Sequence, residues 1–322
     1  MRLFLLPIST RRSLIYCERL HDRLASERTW LDKITNKANE MWVAWEKDEK
    51  SFKRWKKTIT VYGNKAFKQI PYEEWGLKTI PALTAKRKSA VVEGKEKVEV
   101  MFPGLFLQEK KVPSILLQLA TERQALHRKR MLWSIFGMPI TIPFILVPVI
   151  PNIPFFYLVF RAYSHWKALQ GSKHLEFILK TKLLKTIPSS ELDEVYTAGL
   201  MYSTREISRN APRPTQHQIE EISKVVDKQT NDGSEDVMVL QRWNGKLIAE
   251  RFKLPEMEVE IERAVEQVER AIKGKEELVE EKRELERATA APGQTNGEKA
   301  AEIPLEKRSE QVEKEIDDVA KK

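Results

Sequence analysis

Apolar residues recur at helical spacing along much of the first 130 residues. Trp30, Ile34, Met41 and Trp45 lie four or seven positions apart, which places them on one helix face. Phe52, Trp55 and Ile59 repeat the pattern, with Lys53, Arg54, Lys56 and Lys57 around the central tryptophan. Pro71, Pro81, Pro103 and Pro113 then punctuate a basic stretch in which residues 86–97 read as an exposed loop. A helical pattern resumes near Ser114 and runs through Leu116, Leu117 and Leu119 to His127, Arg128, Lys129 and Arg130.

Residues 131–160 carry no charge at all. About 20 apolar residues suffice for a helix to cross the hydrocarbon core, so this run predicts a membrane segment over 131–169. Pro139, Pro143, Pro148, Pro151 and Pro154 interrupt it, and each removes a backbone donor and strains the turn before it. Their spacing, with Asn152 among them, predicts two arms, 131–147 and 155–169, as a helical hairpin. One kinked span is the alternative. The fifteen residues on either side carry four and three Lys or Arg, and that near balance favours both flanks on one side. His127, Arg128, Lys129, Arg130, Arg161, His165 and Trp166 are then expected at the headgroups, with Arg161 snorkelling or facing protein.

Beyond the apolar run, residues 170–255 read as a second helical region, with a stop and new cap near Pro188 and Ser189. Asn244-Gly245 between apolar residues suggests a tight turn. A charged helix follows over 256–287. Ile261, Val268, Lys275 and Lys282 at a, with Ala264, Ala271, Leu278 and Leu285 at d, permit a weak coiled coil. The tail, 288–322, has the composition of a mostly disordered segment. The fold class expected is mainly α: a helical membrane protein with one proline-rich segment, flanking amphipathic helices, a basic helical region over 1–130 and a charged C-terminal helix.

Charge sharpens this picture. Residues 1–200 hold 34 Lys and Arg against 19 Asp and Glu, a net +15, whereas residues 201–322 hold 22 against 28, a net −6. A basic first part suits anionic lipid headgroups. Nucleic acid is a poorer partner, because the cations are scattered and no binding motif occurs. Arg2, Arg11 and Arg12 precede any acidic residue, which resembles a mitochondrial targeting segment or a short amphipathic helix. Cys17 is the sole cysteine, so no intrachain disulfide forms, in keeping with a reducing compartment.

The chain shows no phosphate loop, dinucleotide fingerprint, zinc-protease motif or nucleophile elbow. No catalytic residue, cofactor or metal site is expected, and the chain reads as a non-enzyme. His127 and His165 bracket the apolar run and read as interfacial side chains. Glu73 and Glu74, being adjacent, point in different directions and make no acid/base pair.

The opening MRLFLLPIST-RRSLIYC, the segment KAFKQIPYEEWGLKTIP, the proline-rich run and GSKHLEFILK followed by IPSSELDEVY resemble the fungal mitochondrial K⁺–H⁺ exchange-related family. The resemblance covers residues 1–262. It implies a protein of the mitochondrial inner membrane that takes part in potassium/proton exchange and matrix volume control, with K⁺ and H⁺ as the ions concerned. Because the resemblance begins at Met1, it also implies uncleaved or internal targeting. An exchanger needs ionisable groups or converging oxygens within the membrane. The only side-chain oxygens in 131–160 are those of Ser134, Thr141, Asn152 and Tyr157. The expectation is therefore an accessory or complex subunit, partnered by itself or by another inner-membrane transporter. A membrane-anchored scaffold without transport is the alternative.

Overall fold

The computed structural model describes residues 1–18, 61, 63, 65, 67–95, 97–146, 152–230, 235–290 and 311–316. The aromatic helix faces expected around Trp30–Ile59, together with Pro148, Pro151 and most of the tail, lie outside the described residues.

A four-stranded sheet organises the molecule. β1 (Arg2–Pro7) and β2 (Ser13–Cys17) form an antiparallel pair, closed by a turn in which the Ile8 amide donates to the Arg12 carbonyl at 2.8 Å. β3 (Val98–Phe102) runs parallel to β1, and β4 (Leu184–Pro188) runs parallel to β3, giving the order β2-β1-β3-β4. Alternation along β1 sends Leu3 and Leu5 to one face and Phe4 and Leu6 to the other. Both faces are covered, so all four are fully buried.

One face is covered by α1 (Tyr72–Thr79), α2 (Ala85–Val92), α3 (Val112–Thr121) and the C-terminal half of α5 (Ile153–Lys180), through Leu77, Val91, Leu116, Ala168, Leu175 and Ile178. The other is covered by α6 (Ser190–Met201), α9 (Asn244–Phe252) and α10 (Pro255–Ala290). Met257, Ile261, Ala264, Val265 and Val268 form the buried stripe of α10, the i, i+4, i+7, i+8, i+11 spacing of one helix face. Its apolar seam therefore packs into this chain's own core. α4 (Gln124–Gly137) lies against α5, while α7 (Arg205–Asn210) and α8 (Gln216–Thr230) flank the second face.

The expected helical membrane fold is corrected by this architecture. Among the described residues, no helix is long and apolar enough to cross a membrane. The uncharged run is divided among three short pieces. α4 takes its first seven residues and ends at Gly137, and Pro139–Leu146 winds as a 3₁₀ segment with Pro143 inside it. α5 takes Ile153–Phe160, only two turns before Arg161, and His165, Lys167 and Lys173 follow. At 1.5 Å per residue each apolar arm measures roughly 10–12 Å, against a core of about 30 Å.

Three local expectations also change. Residues 2–17 form strands rather than an amphipathic helix or the start of a helical region, because their continuous apolar run fits a sheet covered on both sides. Residues 85–92 form α2 instead of a loop, capped by Thr84, whose hydroxyl accepts from the Arg87 amide. Asn244-Gly245 opens α9 rather than a hairpin turn. Asn244 is fully buried and donates to the Val195 carbonyl at 2.9 Å, and a Cβ on Gly199 would sit 2.0 Å from its amide nitrogen. The pair serves close helix packing.

Candidate functional site

Helical spacing assembles a polar cluster where α1, α4 and α5 meet. On α5, Arg161, Ser164 and His165 fall at i, i+3 and i+4 and share a face. On α1, Glu74 stands one turn before Leu77, so a carboxylate occupies the core-facing stripe. His127 enters from α4.

Glu74 is 1% exposed and accepts from Arg161 through both oxygens, Oε1 at 3.0 Å and Oε2 at 3.2 Å. Ser164 donates to its Oε1 at 2.5 Å. The same Arg161 nitrogen that reaches Oε2 lies 2.8 Å from His165 Nε2. Guanidinium nitrogens only donate, so His165 Nε2 must be the acceptor and its proton must sit on Nδ1. That Nδ1 lies 3.1 Å from His127 Nδ1 and 3.5 Å from Glu74 Oε2. His127 accepts through Nδ1 in turn and carries its own proton on Nε2, a buried donor with no partner among the described residues. Polarity thus runs one way, from Arg161 through His165 to His127.

Burial drives both imidazoles toward the neutral form. It pulls His165 down to about 4 and lowers His127 as well, outweighing the attraction of Glu74 in each case. Burial pushes Glu74 the other way, but Arg161, the Ser164 hydroxyl and His165 together hold it below the usual carboxylate range. Beside the cluster, burial brings Lys78 down to about 7, with its ammonium 3.4 Å from the centre of the Trp75 ring. Glu73 turns away to Arg123 at 2.9 Å and is raised by burial.

Ligand atoms of Glu74, His127 and His165 lie within 4.8 Å of one another, which is chelating reach for a metal ion. Charge opposes that use. Arg161 already occupies both oxygens of Glu74, so a divalent cation would add two positive charges beside a buried guanidinium. The arrangement suits a self-neutralised ion pair with two neutral histidines.

The structure separates the other residues singled out from sequence. His127, Arg161 and His165 join the buried cluster instead of facing headgroups. Arg128, Lys129 and Arg130 are exposed. Trp166 is partly exposed and stacks near Tyr163. Ser134, Thr141 and Asn152 do not converge on a path: Ser134 donates to the Arg130 carbonyl, Thr141 to that of Met138, and Asn152 to that of Thr141. Asn152 also caps α5, accepting from the Phe155 amide at 3.1 Å. Tyr157 faces outward, Pro139 opens the 3₁₀ segment, and Pro154 lies in the first turn of α5. Sequence reading missed Glu74 and Ser164. Ile70, Glu74 and Leu77 at i, i+4, i+7 were the available signal for the first.

Fold and site together define a mixed-sheet protein, helix-covered on both faces, with a buried ionic cluster at the foot of an exposed apolar bend. By sequence the chain belongs to the family described as mitochondrial K⁺–H⁺ exchange-related, whose profile matches residues 2–179. That description associates it with mitochondria and with K⁺–H⁺ exchange. A Schizosaccharomyces pombe protein described as uncharacterized is 32% identical over 199 residues, 60% of this chain and 82% of the relative. A Saccharomyces cerevisiae protein, likewise described, is 29% identical over 245 residues, 66% of this chain and 74% of the relative. No solved structure matches.

Proposed function

We propose that the chain is a non-enzymatic accessory subunit of the K⁺–H⁺ exchange system at the mitochondrial inner membrane, contributing to matrix volume and cation homeostasis. The family supports the process. The observation that supports the accessory role is the cluster: Glu74 is bound through both oxygens to Arg161 and hydrogen-bonded by Ser164. An exchanger must release one cation to take another, and a carboxylate so bound is in no position to do so. Ion passage then belongs to a separate inner-membrane transporter with which this chain assembles.

Two measurements test this reading. Purified chain in liposomes with a pH dye and a potassium gradient should give no potassium-dependent proton flux, while an added ionophore gives a full response. Mitochondria lacking the chain should swell more slowly in potassium acetate, and the wild-type chain should restore the rate. Flux from the purified chain alone overturns the accessory reading. Unchanged swelling favours a scaffold without a transport role, the reading supported by the Glu- and Lys-rich outer half of α10.

A further inference from the structure

The bend between α4 and α5 exposes apolar side chains that a folded protein ordinarily covers. Trp133, Phe136, Ile140 and Phe156 are 68%, 70%, 74% and 62% exposed, and Ile142 and Tyr157 add to the same end of the helix pair. A cluster of this size on one surface marks an interaction site.

Its border says what the partner is. Arg128, Lys129 and Arg130 stand exposed on α4, just behind Trp133. At the foot of the bend, α4 and α5 part to leave an open cleft of about 350 Å³. Arg130, Trp133 and Ser134 line it from α4 and Tyr157 and Leu158 from α5, with Arg161 and His165 of the ionic cluster also on its wall. Aromatic rings between an apolar tip and a cationic collar match the layering of a lipid–water boundary. Each arm's length of roughly 10–12 Å fits within one leaflet's share, about 15 Å, of the hydrocarbon core.

We infer that the exposed apolar side chains Trp133, Phe136, Ile140 and Phe156 dock into one leaflet of an anionic phospholipid bilayer, with Arg128, Lys129 and Arg130 on the lipid phosphates. Nothing crosses the membrane in this arrangement. The inference rests on the inner-membrane placement proposed above and gives it a surface.

Vesicle flotation tests it without ion gradient or partner protein, so its outcome is independent of the exchange role. Wild-type chain should float with phosphatidylcholine vesicles containing cardiolipin and bind pure phosphatidylcholine vesicles about tenfold or more weakly, with high salt narrowing the gap. Arg128→Glu/Lys129→Glu/Arg130→Glu should lower binding to anionic vesicles by at least about tenfold. Trp133→Ser/Phe136→Ser should lower binding to both vesicle types. All five side chains are exposed, so both variants should keep the wild-type circular dichroism and melting. Folded wild type that fails to float on anionic vesicles overturns the inference, as does equal binding by the variants. So does a dimer in lipid-free solution that Trp133→Ser/Phe136→Ser dissolves while flotation is unaffected, since the surface then serves a second copy of the chain.

Discussion

Glu74 and Arg161 carry opposite charges into a site almost closed to water, and each is tolerable only because the other is present. Glu74→Ala should destabilise by roughly 3–5 kcal/mol, because it strands the guanidinium without a counter-charge. The double substitution Glu74→Leu/Arg161→Met should lose less than the sum of the two single changes. Urea denaturation of the four proteins measures the coupling, and strict additivity would show that the pair acts independently. His165 gives the site a pH dependence. Its folded value lies near 4, below its ordinary 6.5, so between those limits the unfolded chain binds the proton and the folded chain does not. Stability therefore falls as pH drops from 6.5 toward 4, and His165→Gln should flatten that decline in denaturation midpoints taken across the window. A midpoint independent of pH there in wild type would contradict the buried neutral imidazole.

At the level of elements, helix backbones approach one another where glycine permits. Gly171 on α5 faces α1 so closely that a Cβ would sit 2.0 Å from the Leu77 carbonyl oxygen. Gly171→Ala should therefore destabilise by on the order of 3 kcal/mol, since a backbone atom cannot swing aside. Gly274 on α10 has open space around it, and Gly274→Ala should stabilise by about 0.5–1 kcal/mol through helix propensity alone. Thermal melts of the two variants should shift in opposite directions. Elements differ equally in how well sequence announces them. α10 and the C-terminal half of α5 are visible as periodic stretches with charged backs. β1 and β2 are not, because runs of four or five apolar residues buried on both faces lack the alternation that marks a strand. Residues 131–160 mislead for a related reason. Length and absence of charge are scalar properties, whereas the 3₁₀ segment and the early end of α4 depend on where each proline falls.

Across the whole molecule, the basic first part and the acidic remainder interlock in one structure. Arg12 meets Asp236 at 3.6 Å and Arg251 meets Glu194 at 2.5 Å, so the boundary near residue 200 seen in charge is not a structural one. Segmentation by composition could not reveal this, since α9 and α10 complete a core begun near residue 2. The candidate site was half legible: three of its five residues were singled out for flanking an apolar run. Their contact with Glu74 depends on α1 folding back across α5, which no local pattern records. The family match ends at residue 179, before β4, so the part recognised by profile leaves out one strand and the α6, α9 and α10 layer.

The place of β1 has a consequence for the order of events during synthesis. Leu3–Leu6 leave the ribosome ahead of Val98–Phe102, which supply the neighbouring strand, and long before Ile261 and Val265, which roof the second face. A sheet assembled from such distant partners forms late and slowly. Until α10 has emerged, the greasiest strand of the protein has no permanent cover, and a nascent chain in that condition calls for a chaperone's shelter.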